Sequence, residues 1–360
     1  MPENERCEFP SLQVSKTEGE APLSFCSSAR QLAKDALMRS GLLNLLSRLA
    51  RSGVVVLNYH SIQDDPSRSL DIFVPGIVHT TSLFRQQMEL VTRRYNPVGM
   101  DDILRFLNGE MKLPARPVAV TFDDGFADNY ENAAPILKKF GIPAMFNVMV
   151  EAIESQTPPW FCRIRKAFAR TRVTAWWDSH ENYRRPMREP ADRRAAFLAA
   201  SARCAKSTGS IQAEIISSVE RELEVEPLLS KDCPMMTWAQ LRELRNAGNS
   251  IGSHTLTHPN VAYLDEELQW KEISESKRRL ESRLGCSVEF FSYPNPILRP
   301  NFNDRTILLT QKAGYKLAVV SEAGLVRADD NRMAVHRIPV PSNLQEFEWY
   351  INNTKLGRQM

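Results

Sequence analysis

The chain lacks a marked excess of either charge: 46 Lys and Arg stand against 43 Asp and Glu in 360 residues, a net charge of +3. Over the whole chain that balance excludes the broad basic footprint of a nucleic-acid binder, and no nucleic-acid partner is expected. No stretch reaches the roughly 20 consecutive apolar residues of a membrane span. The first residues, Met1-Pro2-Glu3-Asn4-Glu5-Arg6, are acidic where a secretory leader is basic, and no apolar run of secretory length follows. The six cysteines, Cys7, Cys26, Cys162, Cys204, Cys233 and Cys286, lie far apart with no CxxC pair. They therefore spell neither a zinc ribbon nor a dense disulfide framework. Reduced thiols and a cytoplasmic location are the expectation. No internal repeat is present. With hydrophobic residues at 42% and charged residues at 25%, the chain reads as globular, long enough for one large domain or two ordinary ones.

Residues 1–28, rich in Glu, Ser and Pro without periodicity, read as a mobile tail. Over 29–52, leucines and alanines recur at helical spacing beside Arg30, Lys34, Arg39, Arg48 and Arg51, which predicts a basic amphipathic helix. Such a helix can pack on a core or rest on an anionic membrane surface as a peripheral contact. Residues 53–345 then carry short apolar, β-branched runs separated by helical sequence: Val54–Leu57, Val118–Phe122, Ala144–Val148, Ser250–Gly252, Val288–Phe291 and Leu317–Val320. Alternation of this kind favours an α/β fold, a parallel sheet or barrel with its loops gathered at the strand C-termini. Thr237-Trp238-Ala239-Gln240 reads as a capping box opening one of the intervening helices. Between 151 and 232 the rhythm stops, and an inserted helical subdomain is expected. From Trp160 to Arg203 it holds eleven basic residues against four acidic ones, a basic face. Residues 346–360 are expected as a C-terminal tail.

Two segments carry candidate chemistry. Thr121-Phe122-Asp123-Asp124-Gly125 sets a pair of carboxylates at the end of an apolar strand, where a glycine lets the chain turn and both acids face one cleft. One can bind a cation while the other stays free as a base; alternatively, both cap the next helix. Ser253-His254-Thr255-Leu256-Thr257-His258-Pro259 follows another strand, and its two histidines are four apart, a spacing that suits a metal. Two His and one Asp leave coordination positions open, which is the arrangement of a catalytic site.

On these two motifs, on the continuation Phe126-Ala127-Asp128-Asn129-Tyr130-Glu131-Asn132 and on Phe291-Ser292-Tyr293-Pro294, the chain resembles the polysaccharide deacetylases, the NodB-like fourth family of carbohydrate esterases. The resemblance spans roughly residues 53–340 without the insertion. It implies a distorted (β/α) barrel of about seven strands, a divalent metal, usually zinc, and hydrolysis of an N-acetyl group on an amino sugar. Carried over, Asp124, His254 and His258 are the implied metal ligands, Asp123 the base, and the Asn295 N–H the oxyanion donor. Pro296 stands where the family usually has glycine, and Ser292 where many members carry an Arg that orients the base, so either another group holds Asp123 or its geometry is looser. The proton for the leaving amine is expected from His60, in Asn58-Tyr59-His60-Ser61, with His336 as the competitor. Tyr293 is a candidate for stacking on a sugar. The expected substrate is an acetylated polysaccharide, oligosaccharide or lipid-linked amino sugar; the alternatives are an O-acetyl esterase and a non-catalytic glycan-binding barrel.

Overall fold

The computed structural model describes residues 46–47 and 53–357. The 1–28 tail and all of the 29–52 helix except Leu46 and Ser47 lie outside the described residues. Ser47 is buried, its hydroxyl donating to Asn352 Oδ1 at 2.8 Å.

The apolar runs become strands β1 (Val55–Tyr59), β2 (Pro117–Phe122), β3 (Ala144–Val148), β4 (Ser250–Ser253), β5 (Phe290–Ser292), β6 (Leu317–Val319) and β7 (Ile338–Pro339). In space they follow the order β6-β5-β4-β3-β2-β1-β7, and each neighbouring pair is parallel. A two-residue strand, Asn96–Pro97, also pairs with β2. Because helices cover the outside and side chains fill the inside, β1, β2 and β3 are buried at every position. Parallel strands covered on both faces must be continuously apolar, which is why the runs were readable. A single parallel bridge, Val319↔Val335, joins β6 to the segment entering β7 and draws the two sheet edges together. The result is a distorted seven-stranded barrel.

Register aligns the strand ends. Tyr59 pairs with Phe122, and Val148 with Ser253, so His60, Asp123 and His254 leave the sheet at one rim. The Asp123 N–H donates to Tyr59 O (3.0 Å) and the His254 N–H to Val148 O (2.9 Å), which fixes where both loops begin. Helix Trp238–Asn246 opens with the reciprocal Thr237–Gln240 capping box.

Between β3 and β4 the chain forms helices α1 (Trp160–Arg170), α2 (Pro190–Ala205) and α3 (Gly209–Glu222) and the hairpin Ala175–Asp178/Tyr183–Pro186. They enclose a second core around Phe168, Trp176, Met187 and Val219. The basic face expected here is neutralised in part, through four of its arginines. Arg163 pairs with Glu220, Arg170 with Asp71, and Arg185 and Arg203 with the buried Asp178. Some of those acids lie outside the stretch whose charges were counted.

The C-terminal segment is not a tail. Leu344–Lys355 forms helix α4, capped by Asn343, whose Oδ1 accepts from the Glu346 N–H at 2.7 Å. Phe347 and Ile351, four apart, are fully buried in the main core. Among the described residues no helix is long and apolar enough to cross a membrane.

Candidate active site

Asp124, His254 and His258 meet inside the rim, with one ligand atom from each lying within 4.8 Å of the others. Asp124 Oδ1 is 3.5 Å from Nε2 of both histidines. His254 Nδ1 donates to Ser292 O at 2.8 Å, since a carbonyl can only accept, and that fixes the tautomer that turns the Nε2 lone pair toward Asp124. All three residues are buried. Burial, together with the Asp123 charge, pushes the Asp124 carboxyl well above its usual range, while burial holds both histidines neutral. Asp124 Oδ1 has no hydrogen-bond partner. A buried carboxylate oxygen left unpartnered beside two neutral imidazole rings lacks the positive charge that would make its burial affordable, and a divalent cation supplies it. The donor set fits the metal that the motifs imply.

The backbone is bent to make this group. Asp124 (φ +76°), Thr255 (φ +66°) and His258 (φ +59°) all occupy the left-handed region that side chains other than glycine rarely adopt. Such conformations persist where the surroundings over-determine them. Around His258 the surroundings include the insertion: Trp160 Nε1 donates to His258 O at 3.0 Å, and the Phe161 ring lies 4.8 Å from the imidazole.

Asp123 is held from two sides. Asn147 Nδ2 donates to its Oδ1 at 2.8 Å. Arg337 spans both oxygens, Nη1 to Oδ1 at 2.9 Å and Nη2 to Oδ2 at 2.7 Å. The same guanidinium donates to Asn58 Oδ1, Thr121 Oγ1, Ser292 Oγ and Val320 O. Burial would raise the Asp123 carboxyl, but the Arg337 charge and hydrogen bonds, with His254, outweigh it and hold the group ionised far below the usual carboxylate range. Arg337 is therefore the replacement for the arginine missing at Ser292, to which it is hydrogen-bonded.

Sequence reasoning missed Arg337 and Asn147, though both left a signal. Arg337 follows His336, and Asn147 is a polar residue in an otherwise apolar strand. Adjacent residues at a strand start point to opposite sides. Arg337 takes the inside, and His336 faces outward, Nδ1 3.2 Å from Glu322 O, its ring against Gly324.

His60 is half-buried at the rim and its ring makes no hydrogen bond among the described residues. Burial lowers it to about 4 against the opposing pull of Asp123, so the imidazole is neutral near pH 7. Asn295 lies exposed in the loop after β5, its side-chain oxygen accepting from Arg299 and from Asn301 Nδ2. Tyr293 does not face the cleft. It is 1% exposed, stacks on Phe302 and donates to Thr310 Oγ1 at 3.2 Å, so it is core and not a sugar platform. Its N–H continues the ladder to Val319 O, which sends the ring between β5 and the neighbouring helix.

Parallel strands closing on a buried donor set of this kind, with an ionised carboxylate and an open imidazole beside it, define a barrel hydrolase. The chain belongs to the polysaccharide deacetylase family, whose model matches residues 110–318. It is 22% identical over 251 residues to YxkH of Bacillus subtilis (strain 168), itself provisionally named a polysaccharide deacetylase, covering 69% of this chain and 61% of that protein. It is 22% identical over 305 residues to the poly-β-1,6-N-acetyl-D-glucosamine N-deacetylase of Escherichia coli O157:H7, covering 82% of this chain and 38% of that protein. The chain thus spans less than two thirds of the length of either relative. The fold is shared with the Streptococcus pyogenes deacetylase PplD, solved in complex with acetate, at a TM-score of 0.55 and 20% identity over 83% of this chain and 97% of that one.

Proposed function

We propose that the chain is a metal-dependent N-deacetylase acting on an acetylated amino-sugar polymer or oligosaccharide. The carrying observation is the unpartnered Asp124 Oδ1 between two histidine Nε2 atoms, with Asp123 held ionised beside it. The E. coli relative's named substrate, poly-β-1,6-N-acetyl-D-glucosamine, and the acetate bound to PplD support the choice of N-acetyl hydrolysis.

Asp124, His254 and His258 would hold a divalent cation. When bound, that ion supplies Lewis-acid polarisation of the acetyl carbonyl and lowers the pKa of water. Asp123 takes the proton from the attacking water. Arg337 keeps it ionised and therefore able to accept, and Asn147 fixes its orientation. The Asn295 N–H is the proposed donor to the developing oxyanion. His60 delivers a proton to the leaving nitrogen. Since its imidazole is neutral at rest, that proton must reach it during turnover, and Asp123, whose charge it feels, is the group that has just taken one from water. Water and amide are thereby converted to acetate and free amine. The test is mass spectrometry of N-acetylated and O-acetylated glycans incubated with the protein. Loss of acetyl groups from nitrogen supports the proposal. Loss from oxygen alone makes the chain an esterase, and no loss from either leaves a glycan-binding barrel.

A further inference from the structure

The loop that carries both histidines is fastened from outside by one carboxylate. Glu272 lies on a π-helical turn, Lys271–Glu275, between helices Glu266–Trp270 and Ser276–Leu284. Such turns are rare and concentrate at functional sites. Glu272 is 2% exposed. It accepts the Leu256 N–H at 2.9 Å and the Thr257 N–H at 3.0 Å on Oε2, and the Thr257 hydroxyl at 2.8 Å on Oε1. A buried carboxylate is costly unless its oxygens are satisfied, and here all three donors come from the two residues midway between His254 and His258. The loop resists this shape on its own, since Thr255 and His258 on either side sit in the left-handed region. On its other side the loop is tied by the Val150 and Glu151 N–H groups, which donate to Thr255 O and Leu256 O. Glu272 supplies the opposing anchor.

We propose that Glu272 is a positioning residue: by clamping Leu256 and Thr257 it sets the separation of the His254 and His258 Nε2 atoms and so the cation affinity of the site. The inference rests on reading Asp124, His254 and His258 as a cation site. Glutamine can preserve the clamp, its oxygen accepting the two backbone N–H groups and its amide donating to Thr257 Oγ1; alanine cannot.

Titration of the metal-free full chain with Co²⁺, followed by the d–d absorption of the bound ion, tests this. Glu272→Ala should raise the Co²⁺ Kd by about 10- to 100-fold and change the absorption band, the scale seen when a partner of a metal ligand is removed. Glu272→Gln should stay close to wild type in both. A Glu272→Ala protein with wild-type Kd and band overturns the proposal. Should that variant not fold, Thr257→Val, which removes one of the three donors, must weaken Co²⁺ binding, and an unchanged Kd there overturns it equally. Failure of the underlying reading looks different: wild type would bind no Co²⁺, or His258→Ala would bind it as wild type does.

Discussion

Replacing Arg337 with alanine isolates the group that holds the proposed base. Arg337 is 0% exposed and Asp123 is 2% exposed, and two hydrogen bonds of 2.7 and 2.9 Å join them. Without the guanidinium, Asp123 keeps Asn147 alone in a buried setting. Removing one partner of a buried ion pair costs about 3–5 kcal/mol, because the remaining charge is left uncompensated. At about 2–4 °C per kcal/mol for a domain of a few hundred residues, Tm should fall by about 10 °C. The pH dependence has a definite sign. In the wild type Arg337 depresses the Asp123 pKa, so the pair's stabilisation is present above the ordinary carboxylate value and is lost only as pH falls through the lower folded value. In the variant the largest opposing influence on burial is gone and the pKa rises relative to wild type, so its deficit should be largest at neutral pH and shrink toward about pH 4. Calorimetric melts of wild type, Arg337→Ala, Asp123→Asn and the double variant measure both effects. The double variant should be more stable than Arg337→Ala, since a neutral amide needs no counter-charge. A Tm for Arg337→Ala within a couple of degrees of wild type, or a double variant no more stable than that single one, would refute the reasoning.

His60→Ala should lower turnover on N-acetyl substrates by roughly a hundredfold or more, the scale of a lost general acid, and much less on activated aryl esters, whose leaving group needs no proton. His336→Ala, which faces away, should cost little on either; comparable losses on both substrates would point to a folding defect. Gly252→Ala would set a Cβ 2.1 Å from Asn147 Oδ1, so Asn147 must leave Asp123. The variant should lose about 1–3 kcal/mol of stability together with turnover, and wild-type kinetics would contradict the role given to Asn147. Burial pushes Asp128 up to about 7, so stability tied to its protonated form is lost as pH rises through that value. Tm of Asp128→Asn should accordingly depend less on pH between about 5 and 8 than wild type; equal slopes would sink the assignment.

The strands and the paired motifs were legible because their information is local. A doubly covered parallel strand must be apolar along its length, and Asp123-Asp124-Gly125 and His254 to His258 each fit within one loop. Arg337 was not legible as a partner of Asp123 because 214 positions separate them, and only barrel closure brings them together. Tyr293 misled because an aromatic residue at a strand end looks the same whether the strand's continuation turns it into the core or the cleft. The C-terminal helix was overlooked although Asn343, Phe347 and Ile351 spell a cap and an apolar stripe. Part of the insertion's charge pairing was not legible for a related reason, since Glu220 and Asp71, the partners of Arg163 and Arg170, lie outside the Trp160–Arg203 stretch.

Acetate release from an N-acetylated amino-sugar oligomer, measured beside metal content for wild type, His254→Ala/His258→Ala and Asp123→Asn, tests the central claim most directly. The account predicts about one divalent ion per wild-type chain with acetate released, neither ion nor acetate for the double-histidine variant, and a bound ion with little acetate for Asp123→Asn. Acetate release that persists in a double-histidine variant shown to be free of metal would contradict it.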